Sequence, residues 1–104
     1  MSDNVIAFIE VQVTPERGKG FDAVAERIYK FPQVVSTYLL SGSYDLLVVL
    51  EGSNLQEVAA FVAEKLATLD RVKQTRTHFL LKKYKEQGQM MEKEATIKKM
   101  PVSP

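Results

Sequence analysis

The run Leu46-Leu47-Val48-Val49-Leu50 is apolar at every position, and Val5-Ile6-Ala7-Phe8-Ile9 near the start of the chain behaves the same way. Successive side chains of a strand point to opposite faces, so a strand without alternation needs cover on both of them. Any fold built on these two segments must bury a sheet twice. Directly before the first run stands Ser41-Gly42-Ser43-Tyr44-Asp45, a loop with hydroxyls, a phenol and one carboxylate. Gly42 can take a positive φ and let backbone N–H groups approach a ligand. The same residues also suit a plain hairpin turn with Asp45 as a turn residue.

Taken in order, Val5 to Val13 predicts a strand, with Val5, Ala7, Ile9, Val11 and Val13 on one face and Ile6, Phe8, Glu10 and Gln12 on the other. Thr14-Pro15-Glu16 stops it. Phe21, Val24, Ala25 and Ile28 recur at helical spacing from about Phe21 to Lys30, and Phe31-Pro32 marks the exit. Val34 to Leu40 is β-branched and aromatic and predicts strand two, leading through the loop into strand three, Tyr44 to Leu50. Ser53 and Gln56 fit a capping box at the start of a second helix, whose stripe is Leu55, Val58, Ala59, Val62, Leu66 and Leu69. Val72 to about Tyr84 alternates as strand four, with Thr75, Thr77, Phe79 and Leu81 on one face and Arg76, His78, Leu80 and Lys82 on the other. Residues 1–85 form the expected folded domain and 86–104 a charged tail, with a short helix conceivable around Met90 to Ile97.

The order β-α-β-β-α-β predicts an α+β, ferredoxin-like fold, a four-stranded antiparallel sheet with two helices on one face. No core helix remains for the other face. A second copy, sheet against sheet, is the expected cover, and the tail folded across the sheet is the alternative. Each Leu or Val left exposed there would forgo roughly 1.5–3 kcal/mol.

Composition narrows the function. At 104 residues the chain is one domain, and a formal charge of +1 offers no footprint for direct nucleic-acid binding. With no cysteine there is no disulfide, thiolate nucleophile or cysteine-ligated metal, and no cofactor is expected. No apolar run approaches the roughly 18 residues of a membrane span, and no signal peptide is evident, so the expected compartment is the cytoplasm.

With order and loop in place, residues 4 to 85 resemble the effector-binding, or RAM, domain of the Lrp/AsnC family of transcriptional regulators. The most specific part is Ser41-Gly42-Ser43-Tyr44-Asp45-Leu46, which is similar to that family's small-Gly-x-aromatic-Asp-hydrophobic signature. Phe31-Pro32-Gln33-Val34-Val35 and Val72-Lys73-Gln74-Thr75-Arg76-Thr77 support it. Full-length members carry an N-terminal helix-turn-helix, whereas this sequence starts at strand one and looks like a stand-alone effector domain. The resemblance implies a homodimer through the helix-free face, assembled into octamers or decamers, an amino acid effector between dimers, and DNA-binding Lrp/AsnC relatives as partners.

An amino acid needs an anionic acceptor beside unpaired donors. Asp45 can be the first, and loop N–H groups near Gly42 and Ser43 the second. By position, Ser43, Asp45, Thr75 and Thr77 are the effector-contact candidates, with Gly42 shaping the loop and Tyr44 walling it or simply packing. Thr75 and Thr77 lie roughly 7 Å apart on one strand face, where β-propensity explains them equally well. His78 is the single histidine and is read as structural; no catalytic or metal-binding residue is expected. Two alternatives stay open. One is an enzyme on a dimeric ferredoxin-like barrel, with its catalytic group in the sheet cavity; the other is an ACT-like amino-acid-binding module, whose ligand glycine would follow strand one.

Overall fold

The computed structural model describes residues 4–15, 17–18 and 20–90. The helix conceivable at Met90 to Ile97 therefore lies, beyond Met90, outside the described residues. Strands β1 (Val5–Val13), β2 (Val34–Leu39), β3 (Leu46–Gly52) and β4 (Val72–Phe79) form one sheet in the order β2-β3-β1-β4. All three pairings are antiparallel. Helices α1 (Asp22–Tyr29) and α2 (Leu55–Phe61) supply the two crossovers. The fold is thus the expected α+β, ferredoxin-like one.

One face of the sheet is the core. Ala7, Ile9, Val11 and Val13 of β1 and Leu46, Val48 and Leu50 of β3 are buried with Val24 and Ile28 of α1 and Val58 and Phe61 of α2. Phe31, at the exit from α1, stands edge-on to Phe61 with ring centroids 5.2 Å apart, fastening the two helices to each other. Gly52 lets α2 lie close over the end of β3, since a methyl there would sit 2.9 Å from Val58 Cγ2.

The second helix departs from prediction at both ends. Its cap is Asn54, not Ser53: the Asn54 side chain accepts from Glu57 N at 2.7 Å, and the Glu57 carboxylate, not Gln56, takes the bond back to Ser53 N. The cap is displaced by one residue because Asn54 is the residue in extended backbone, and the return bond reaches the N–H before the cap rather than the cap's own. Regular α-helix then stops at Phe61 and gives way to a π-helical turn, Val62–Leu66, with Ala67 N bonded to Val62 O at 2.7 Å. Ahead of that turn Phe61 is buried with Val58 and Val62, while the predicted Leu55 and Ala59 are exposed.

Strand boundaries also shift. β3 begins at Leu46, two residues after the predicted start, leaving Tyr44 and Asp45 in the loop. β4 ends at Phe79 rather than Tyr84. Leu80 N still donates to Ile6 O at 2.9 Å, but β1 begins at Val5, so residues beyond Leu81 have no β1 residue opposite them. The chain leaves the sheet and forms a small hairpin of β5 (Lys85–Glu86) and β6 (Gln89–Met90).

Ile6 and Phe8 of β1 and Leu47 and Val49 of β3 project from the helix-free face, and all four are only half-buried. Tyr38 at 53%, Leu81 at 92% and Tyr84 at 73% exposure lie on or beside it. An apolar surface of this kind is a candidate interaction site.

The shifted cap makes a direct prediction for urea unfolding at one fixed protein concentration. Asn54→Ala should cost about 1 kcal/mol. Ser53→Ala should stay within about 0.5 kcal/mol. The reverse ranking would return the cap to Ser53.

Candidate functional site

Pairing between β1 and β3 stops at Val11 opposite Leu46, yet β1 continues to Val13. Asp45 completes the ladder by two bonds. Its N–H donates to Val11 O at 3.0 Å, and its carboxylate Oδ2 accepts from Val13 N at 2.9 Å, so a side-chain oxygen stands where the next strand carbonyl would be. On the far side of β1 the register slips between Gln12 and Val13, and Thr14 N finds Arg71 O at 2.8 Å. The end of β1 is held from both sides.

The loop hangs from this anchor. Leu40 N donates to Asp45 O at 2.8 Å and closes Ser41 to Tyr44 into a tight connection. Gly42 sits at φ +122°, a region that favours glycine, with open space around it. Gly42 and Ser43 are exposed, while Tyr44 and Asp45 are half-buried. The structure therefore brings Gly42, Ser43, Tyr44 and Asp45 together at one end of the sheet. A carboxylate offers about four acceptor sites, so the bond to Val13 leaves Asp45 able to accept from a ligand.

Thr75 and Thr77 are placed differently. Both are half-buried on the helix side of β4, opposite Val11 and Ile9. Thr75 and Asp45 thus flank Val11 from opposite sides, about 10 Å apart as counted in strand spacings. They share an end of the sheet but not a contact.

Sequence reasoning missed two contacts. Tyr44 does not only wall the loop: Arg76 Cζ lies 5.4 Å from its ring centroid. His78 has a carboxylate partner, Glu10, with Nε2 3.3 Å from Oε1 across β1 and β4 on the helix-free face. The clue was the alternation itself, which put Glu10, Arg76 and His78 on that face, but the strand register needed to pair them was not readable. Two clefts open nearby, of about 460 and 430 Å³, both lined by Leu80, Lys82 and Lys83 and neither by a loop residue or by Thr75 or Thr77. Among the described residues no group of three or more His, Cys, Asp or Glu could hold a metal ion, and no helix is long and apolar enough to cross a membrane.

Residues 6–90 match the family model of the Lrp/AsnC ligand-binding domain. The chain belongs to that family. This Lrp/AsnC ligand-binding domain is 55% identical over 102 residues to the HTH-type transcriptional regulator YugG of Bacillus subtilis, matching 98% of this chain and 61% of that protein. It is therefore similar to rather less than two thirds of its curated relative. Among solved structures, it superposes on FFRP-DM1 with a TM-score of 0.67 at 27% identity, covering 74% of this chain and 99% of the other. It also superposes on the transcriptional regulator NMB0573 of Neisseria meningitidis, solved as a complex with L-Met, with a TM-score of 0.70 at 25% identity. That match covers 85% of this Lrp/AsnC domain and 57% of the regulator.

The backbone bond of Asp45 has a measurable consequence. Asp45→Ala strands the half-buried Val13 N–H and should cost roughly 1.5–3 kcal/mol in chemical denaturation. Asp45→Asn keeps an oxygen at the same place and should lose under half as much. Equal losses would mean that charge, not the bond to Val13, is what stabilises the strand end.

Proposed function

We propose that this domain is an oligomeric amino acid sensor that modulates transcription, with the effector held at the loop Ser41–Asp45. The observation that carries the reading is Asp45 itself, a half-buried carboxylate fixed to Val13 N beside an exposed, glycine-containing loop. A carboxylate that cannot swing away is preorganised for an ammonium group. The exposed backbone around Gly42 and Ser43 gives donors to the carboxylate of the same molecule. Thr75 and Thr77 stand on the other side of β1 and contribute where a bound molecule or a neighbouring dimer spans the strand end. Membership of a ligand-binding family supports the reading, as does the L-Met complex of the Neisseria relative.

In this reading the helix-free face is covered by a second copy. The face suits itself as a partner: an apolar part, Ile6, Phe8, Leu47 and Val49, adjoins a part holding Glu10, Arg76 and His78, so both signs of charge are present. Such dimers assemble further into octamers or decamers, with the effector between dimers, in the cytoplasm. Both described helices are committed to the core through buried residues, leaving neither to enter a DNA groove. DNA is reached through DNA-binding Lrp/AsnC relatives, and no step of catalysis is assigned.

Calorimetry with the twenty amino acids, L-methionine first, tests the site. Wild type should bind one or a few of them, and Asp45→Asn, which preserves the strand anchor, should bind at least tenfold more weakly. Unchanged affinity in that variant would remove Asp45 from the site. No binding by wild type to any of the twenty would remove amino acids as the effector class.

A further inference from the structure

Tyr44 belongs to the loop, but its ring does not stay there. It lies against the Arg76 guanidinium, 5.4 Å from centroid to Cζ. Arg76 stands directly opposite Glu10 in the β1–β4 register, and Glu10 is 3.3 Å from His78, opposite Phe8 on the same face. Four side chains from the loop, β4 and β1 thus run in sequence from the mouth of the loop to the middle of the helix-free face. Directly opposite residues of an antiparallel pair have Cβ atoms about 4.5–5.5 Å apart, within easy reach of a guanidinium and a carboxylate.

We propose that Arg76 is the positioning residue that couples the loop to the face, through Tyr44 at one end and Glu10 at the other. The guanidinium has one partner in the structure, the Tyr44 ring, and a carboxylate, Glu10, directly across the strands from it. As held over the Tyr44 ring it makes no ion pair with Glu10, whose carboxylate is on His78, so a guanidinium that swings from the ring toward β1 exchanges one contact for the other. Movement of Tyr44 frees Arg76 for Glu10, and Arg76 then competes with His78 for the same carboxylate. The charge pattern of the face changes while the fold does not. This deepens the sensor reading and rests on it for the identity of the signal, but the coupling itself is a property of the chain without ligand.

The test is therefore made first without ligand, on the full chain. Arg76→Gln keeps much of the aliphatic stem and removes the cation; Arg76→Lys keeps a cation. Amide hydrogen exchange at Ser43, Tyr44 and Asp45 should be roughly two- to fivefold faster in Arg76→Gln, as loss of an exposed cation–π contact predicts, and partly restored in Arg76→Lys. Dimer dissociation measured by dilution should respond to Tyr44→Leu as well as to Arg76→Gln, and the two effects should be less than additive in the double variant. Unchanged exchange with additive dissociation constants would overturn the proposal whatever the wild type binds. In the second stage, the change in assembly mass that wild type shows with L-methionine or another of the twenty amino acids should be lost in Arg76→Gln. A full response retained there would overturn the coupling. A wild type that answers none of them while the cycle is non-additive would overturn the effector reading alone, leaving the tie between loop and face supported.

Discussion

Over Val5–Ile9 and Leu46–Leu50 the two central strands are apolar on both sides, and the described residues cover one side. That imbalance organises everything else. β1 and β3 lie between β2 and β4, and their inward residues, from Ala7 to Val13 and from Leu46 to Leu50, are buried beneath the helices. Their outward residues Ile6, Phe8, Leu47 and Val49 are half-buried, screened by neighbours across the strands but, among the described residues, by no second layer. Burial is roughly proportional to the apolar area withdrawn from water, so the same side chains that drive folding on one face favour association on the other.

The loop at the end of these strands follows from the same pairing. β1 outlasts β3 by two residues, and a polar side chain has to close the gap. Asp45 closes it, which explains a carboxylate at this position before any ligand is invoked. An acceptor already held at its post for structural reasons is a good place for a ligand site, because little further ordering is needed on binding. Structural and functional accounts of Asp45 are thus compatible.

Much of this was legible in the sequence because it depends on periodicity. The period of two in β1, the helical spacing of Phe21, Val24, Ala25 and Ile28, and the order of elements specify the fold. What escaped was set by geometry between distant segments or by fine local competition. Asn54 and Ser53 are both good caps, and pattern alone chose the wrong one. The burial of Phe61 comes with its edge-on contact with Phe31, 30 positions away, which local pattern could not supply. The alternating residues beyond Leu81 have no β1 residue opposite them, which the alternation itself does not reveal. At the site, residue types placed Gly42 to Asp45 together because they are consecutive. The Tyr44–Arg76 and Glu10–His78 contacts needed the register of the sheet.

Membership of the Lrp/AsnC ligand-binding family accounts for the architecture, and the uncovered face carries the account of how the domain works. That face is tested most directly by the mass of the purified chain in solution, by light scattering over a dilution series. The account predicts a species of at least twice 11.7 kDa, in even multiples of the chain, that falls toward the monomer when Leu47 is replaced by lysine. A stable wild-type monomer of 11.7 kDa at every concentration would contradict it, since the helix-free face would then need no second copy.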